Sequence, residues 1–147
     1  MNKIAIGLLA CCALLQAGAA EPNWLTDLPK AQAKAKEENK QVLLDFTGSD
    51  WCGWCIKFNK EVLSTPEFAD YAAKHLVLVE VDFPRKKEQS DELKKANKDL
   101  GSKYKVNGYP TFVVLNKEGK EVGRQVGYSA GGPTAFIAKL DEFKGKN

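Results

Sequence analysis

Two cysteines separated by two residues stand inside the run Trp51-Cys52-Gly53-Trp54-Cys55, and they are the side chains of this sequence best suited to chemistry. Three uses of such a pair compete. A structural staple gains little, because a bridge that closes so short a loop removes little chain entropy. A structural zinc site takes four ligands. Beyond the N-terminal leader described below, the sequence offers two thiols and one histidine, His75, so no metal site is expected. A redox pair remains, in which one thiolate attacks a disulfide and the second thiol resolves the mixed disulfide that forms.

Position decides whether such a pair is reactive. Val42-Leu43-Leu44-Asp45-Phe46 has the nearly continuous apolar pattern of a strand covered on both faces. Thr47 to Asp50 supply turn chemistry, and from Cys52 onward Cys55, Phe58, Val62 and Leu63 fall on one helical face. The first cysteine is thus expected at a helix N-terminus, with the second one turn further in. Unpaired N–H groups and the positive end of the helix dipole lower a cysteine pKa from about 8.5 into a range of about 3.5 to 7.5 at such sites. Cys52 is the expected nucleophile. Cys55 is the expected resolving thiol, the more buried of the two and near enough to bridge to Cys52.

The elements that must hold this pair are read from periodicity. Trp24, Leu25, Leu28, Ala31 and Ala35 lie near helical spacing and predict an opening helix up to Asn39. Ser64-Thr65-Pro66-Glu67 ends or restarts the helix after the cysteines, and a second helical stretch reaches about Lys74. Leu76 to Val81 is a second buried strand, parallel to the first. Residues 85–105 predict one long charged surface helix with an inward stripe of Leu93, Ala96, Leu100 and Tyr104. Phe112–Leu115 and Glu121–Val126 flank a glycine turn as an antiparallel hairpin, and Gly131-Gly132-Pro133 opens a last helix with Phe136, Ile137 and Leu140 facing inward. The expected order is α, β, α, β, α, β, β, α: an α/β fold with a central mixed β-sheet flanked by helices on both faces.

A length of 147 residues suits one domain, and 44% hydrophobic with 28% charged residues excludes disordered, collagenous and membrane-filling chains. The net charge of +3, without clustered arginines or aromatics, gives no ground for a nucleic-acid partner. Residues 4–20 are uncharged, follow Lys3 and end in Ala17-Gly18-Ala19, the pattern of a cleavable export signal. Residues 1–20 are therefore assigned to the signal peptide and 21–147 to the domain, placing the mature chain in the periplasm or outside the cell. Lipid attachment at Cys11 is the minor alternative. Gly127-Tyr128-Ser129-Ala130-Gly131 matches a hydrolase nucleophile elbow, but no histidine follows Ser129 to complete a triad.

Trp51-Cys52-Gly53-Trp54-Cys55, followed downstream by Gly108-Tyr109-Pro110-Thr111, resembles the active site of the thioredoxin family, and the similarity runs from about Gln41 to Phe143. The resemblance implies a thioredoxin fold and a redox-active Cys52–Cys55 disulfide. It also implies a cis Pro110 beside the cysteines, with the Tyr109 backbone pairing with an extended substrate segment. Trp51, Gly53 and Trp54 would complete the substrate surface, with Trp54 exposed. Asp45 resembles the family carboxylate that exchanges a proton with the resolving cysteine. A buried acid of raised pKa and a strand-end acid facing water are both open for it. Gly-Trp between the cysteines is neither the Gly-Pro of thioredoxins nor the Gly-His of protein disulfide isomerases, and the turn before Trp51 is one residue longer than in thioredoxin. The function implied is a thioredoxin-like protein-disulfide oxidoreductase, a reductase in preference to an oxidase or isomerase, with a non-catalytic client-binding module as the alternative. Its partners would be disulfide-containing or dithiol proteins and a membrane-linked redox recycling protein. No metal or organic cofactor is required, and a monomer is expected.

Overall fold

The computed structural model describes residues 21–144, so the leader and Cys11 lie outside the described residues. Among the described residues five strands form one sheet in the order β1-β3-β2-β4-β5. In chain order the elements are β1 (Trp24–Leu25), α1 (Leu28–Glu38), β2 (Gln41–Thr47), α2 (Gly53–Phe58), a π-helical turn (Asn59–Leu63), α3 (Pro66–His75), β3 (Leu76–Asp82), α4 (Asp91–Lys103), β4 (Thr111–Leu115), β5 (Glu121–Val126) and α5 (Gly132–Lys144). β2 runs parallel to β3 and antiparallel to β4, which makes the sheet mixed. Among the described residues no helix is long and apolar enough to cross a membrane.

Alternation along β2 builds the two halves of the core. Val42, Leu44 and Phe46 pack on one face with Leu28, Ala31, Val79, Val81 and Val113. Leu43 packs on the other with Phe58, Val62, Phe68, Phe112, Phe136 and Leu140. Both sets are buried, which is why the strand reads as a continuous apolar run rather than an alternating one. Asp45 follows the parity of Leu43 and therefore points to the face that carries α2.

Two expected elements differ. Trp24 and Leu25 are a short edge strand and not the first turn of a helix, because they pair in parallel with Leu78 and Val79. The helix begins only at Leu28, where the Asp27 side chain caps it by accepting from the Lys30 N–H at 2.9 Å. The long helix expected over 85–105 is confined to Asp91–Lys103, with Ser90 as its cap. Its buried residue is Asn97, whose Nδ2 donates to the Asp82 carbonyl at 2.9 Å, while Ala96 is exposed and Leu93 and Leu100 are half-buried. In α5, Phe136 and Leu140 are buried with Phe143, and Ile137 is only half-buried.

Candidate active site

β2 delivers the chain to the site, and a tight turn redirects it into α2. Cys52 occupies the cap position of α2 in an extended conformation, and its Sγ accepts a hydrogen bond from the Cys55 N–H at 3.2 Å. That donor is one of the N–H groups that a helix start leaves without an intrahelical partner, a placement that would favour negative charge on the Cys52 sulfur. Cys52 and Cys55 form a disulfide, with their Cα atoms 5.2 Å apart. Both are buried, at 6% and 4% exposure, so in this state Cys52 is scarcely more open than Cys55. Access is set by the surroundings. No atom lies within 4 Å of where a side chain on Gly53 would begin, and Trp54 is 58% exposed.

Aromatic contacts join the cysteine loop to the Tyr109-Pro110 loop. The Trp51 ring meets the Tyr109 ring edge-on at 5.6 Å. Its Nε1 donates to the Phe83 carbonyl at 2.7 Å, and the Arg85 guanidinium covers the ring at 4.1 Å. Trp51 is thus half-buried and fixed from three sides. The Tyr109–Pro110 peptide is cis, and the Pro110 carbonyl accepts from the Gly127 N–H at 2.7 Å. On the far side of the cysteines Trp54 packs against Tyr128 at 5.2 Å, with the Lys57 ammonium 4.8 Å from the Tyr128 ring. His75 ends α3 and stacks on Tyr71, away from this chemistry.

Asp45 is buried, which removes the alternative of a strand-end acid facing water. Its Oδ1 has no hydrogen-bond partner among the described residues. Burial raises its pKa well above the ordinary carboxylate range, and the charges of Glu80 and Asp82 push it in the same direction. Asp45 and Cys55 line one small cavity behind the disulfide.

Two positions that shape the site carry no distinguishing motif in the sequence. Asp50 lay within a stretch read only as a turn. Its carboxylate accepts from the backbone N–H groups of Arg85, Lys86 and Lys87 at 2.9, 2.7 and 2.9 Å. Those bonds, led by the one from Arg85, hold its pKa down to about 2. Ser49 adds a second tie, its N–H donating to Asp82 at 2.9 Å. The other position is Glu80, which pairs with Asp45 across β2 and β3. A lone acid within the apolar run Leu76 to Val81 was the available signal for it.

A bridged cysteine pair at the start of a helix, delivered by a buried strand and joined through Trp51 and Tyr109 to an X-Pro loop, defines a thiol–disulfide oxidoreductase site on an α/β fold. Residues 28–144 match the model of the thioredoxin-like domain, and the chain belongs to that family. It is 42% identical over 111 residues to the disulfide bond reductase DsbH of Chlamydia pneumoniae, an alignment covering 76% of this chain and 66% of DsbH. It is 34% identical over 124 residues to the thioredoxin-related protein DsbJ of the same organism, covering 80% of this chain and 36% of DsbJ. The chain therefore spans just under two thirds of the first relative and little more than a third of the second. A solved structure of a DsbH oxidoreductase superposes with a TM-score of 0.81 at 35% identity, covering 97% of this chain and 94% of that one.

Proposed function

We propose that this protein is a protein-disulfide reductase acting on exported proteins, with Cys52 as nucleophile, Cys55 as resolving thiol and Asp45 as the base for Cys55. The observation that carries the proposal is the Cys55 N–H directed at Cys52 Sγ in a disulfide seated at the start of a helix. In the reduced protein that N–H stabilises the Cys52 thiolate. The thiolate attacks one sulfur of a client disulfide, forming a mixed disulfide and releasing the other client sulfur as a thiolate. Cys55 then gives its proton to Asp45, and its thiolate attacks Cys52 Sγ. The bond from Cys52 to the client breaks, the Cys52–Cys55 disulfide forms, and the second client thiolate leaves and takes a proton from water. Two electrons have passed from protein to client.

The exposed Trp54, the open space before Gly53, and Trp51, Tyr109 and Pro110 on the opposite side form the surface offered to an extended client segment. Likeness to a protein named a disulfide bond reductase supports the reducing direction. The apolar leader at residues 4–20 supports export. Each cycle leaves the protein oxidised, so a membrane-linked dithiol donor must return two electrons to it.

A Cys55→Ser variant tests the chemistry. Mixed with a disulfide-bearing protein after reduction, it is expected to accumulate a covalent adduct through Cys52 that dithiothreitol releases, whereas Cys52→Ser accumulates none. Equilibration of the native chain with glutathione tests the direction: a potential nearer the thioredoxin value of about -270 mV supports a reductase, and one near about -120 mV makes the protein an oxidase.

A further inference from the structure

Behind the disulfide a cavity of about 190 Å³ lies between the sheet and α2, lined among others by Cys55 from the helix side and by Asp45 and Glu80 from the sheet. Asp45 on β2 and Glu80 on β3 are register partners in parallel strands. Their backbones are therefore about 4.8 Å apart, with both side chains on the α2 face of the sheet. Asp45 is buried with an unpartnered Oδ1, and Glu80 is half-buried. Two carboxylates placed in this way favour holding a proton over ionising together.

We propose that Glu80 is a positioning residue for the resolving step, standing between Asp45 and solvent so that the proton released by Cys55 passes from Asp45 through Glu80 to water. The inference rests on the reductase reading and extends it to a residue outside the cysteine motif. No electrons move in this step: the Cys55 S–H bond breaks, Asp45 gains and then loses the proton, and Glu80 hands it to water.

The other charged groups at this place do not serve the same end. Asp82, also on β3, is held by the N–H and hydroxyl of Ser49 and does not line the cavity. Lys87, from the loop after β3, lowers the pKa of Glu80 and opposes the upward push of burial and of Asp82. β4 sets Phe112 against Asp45, and α2 with its π-helical turn contributes Cys55, Ile56, Asn59 and Leu63. Among the described residues, Glu80 is thus the one carboxylate that both lines the cavity and pairs with Asp45. Its negative charge also raises the proton affinity of Asp45, which suits the base to a thiol.

The reduced full-length chain with Cys11 and Cys12 replaced by serine, so that Cys52 and Cys55 are its two thiols, treated with dithiobis(nitrobenzoate) separates the steps. Attack by Cys52 releases one thionitrobenzoate at a rate proportional to reagent, and attack by Cys55 on the mixed disulfide releases the second at a rate independent of it. In Glu80→Gln the midpoint of the pH profile of the second release is expected to fall by about one unit, because removing a like charge lowers the proton affinity of Asp45. Its plateau is expected to drop on the order of threefold, because a weaker base accepts the proton less well. Glu80→Asp, which keeps the charge, should restore the midpoint, and the first release should be unchanged in both variants. An unmoved midpoint in Glu80→Gln, or a Glu80→Asp variant that behaves like it, overturns the role of Glu80 and leaves the reductase reading standing. Absence of any reagent-independent release from the native chain overturns both.

Discussion

Replacing Asp45 with asparagine should make the protein more stable and its resolving step slower. The side chain is 7% exposed, its Oδ1 has no partner among the described residues, and Glu80 and Asp82 lie close enough to raise its proton affinity. An unsatisfied buried polar group costs about 1–3 kcal/mol, and more when it is charged. Asparagine keeps a polar oxygen there and nearly preserves the volume but cannot ionise, so Asp45→Asn recovers only the added cost of the charge, expected at about 1–3 kcal/mol at pH 8. The pH dependence fixes the cause. The folded-state pKa stands above the ordinary value of 3.8, so at pH values between the two the folded protein binds more protons than the unfolded chain. Native stability then falls as pH rises through that window, and the penalty is constant above the folded-state value. Below about pH 3 both states are protonated and the penalty vanishes. Urea unfolding of the oxidised native and variant chains should therefore give curves that nearly coincide at about pH 3 and separate as pH rises. A variant no more stable than the native protein at pH 8, or an advantage that does not grow with pH, would refute the idea that Asp45 is held against an ionisation penalty.

The turn before the cysteines makes further outcomes measurable. Trp51→Phe keeps most of the ring packing but leaves the Phe83 carbonyl without the Nε1 donor at 2.7 Å, and should cost about 1–2 kcal/mol in urea unfolding; an unchanged midpoint would show that this bond adds nothing. Gly48→Ala would drive a methyl group into the Trp51 ring, so the ring or the turn must shift. A loss of about 1–3 kcal/mol with altered tryptophan fluorescence is expected, and a native spectrum with native stability would count against that close approach.

What could be read from the sequence follows from how local each feature is. The strand Val42 to Phe46, the turn and the helix face of Cys55, Phe58 and Val62 are set by neighbouring residues, and the structure places them as expected. Trp24 and Leu25 satisfy helical spacing equally well, and only pairing with Leu78 and Val79, more than fifty positions away, makes them a strand. The segment before α4 is similar. Its charged residues suit a helix, but the Asp50 carboxylate takes the N–H groups of Arg85, Lys86 and Lys87 in a turn, and those contacts cross 35 to 37 residues. The exposure of Trp54 was implied by the resemblance to the thioredoxin family, and the structure shows it. The fixing of Trp51 depends on Phe83, Arg85 and Tyr109, which local pattern does not bring to it.

The same contrast explains why the cysteines were evident and Glu80 was not. A polar residue inside a strand covered on both faces is costly unless it is compensated. Asp45 in β2 and Glu80 and Asp82 in β3 are such interruptions, each visible in the sequence as an acid within an apolar run. Parity alone sends Glu80 and Asp82 to one face of their strand and Asp45 to one face of its own. That these are the same face, and that it is the face beneath Cys55, depends on the parallel register of β2 with β3 and on the side to which α2 crosses. All three acids lie toward the carboxyl ends of their strands, the end where open α/β sheets place their chemistry. On the proposed mechanism the nucleophile is specified by a five-residue motif, whereas the charge that would govern its partner's proton comes from a neighbouring strand. For that reason substitutions in β3, outside the Cys-x-x-Cys motif, should adjust the rate of resolution while leaving the first attack by Cys52 unchanged.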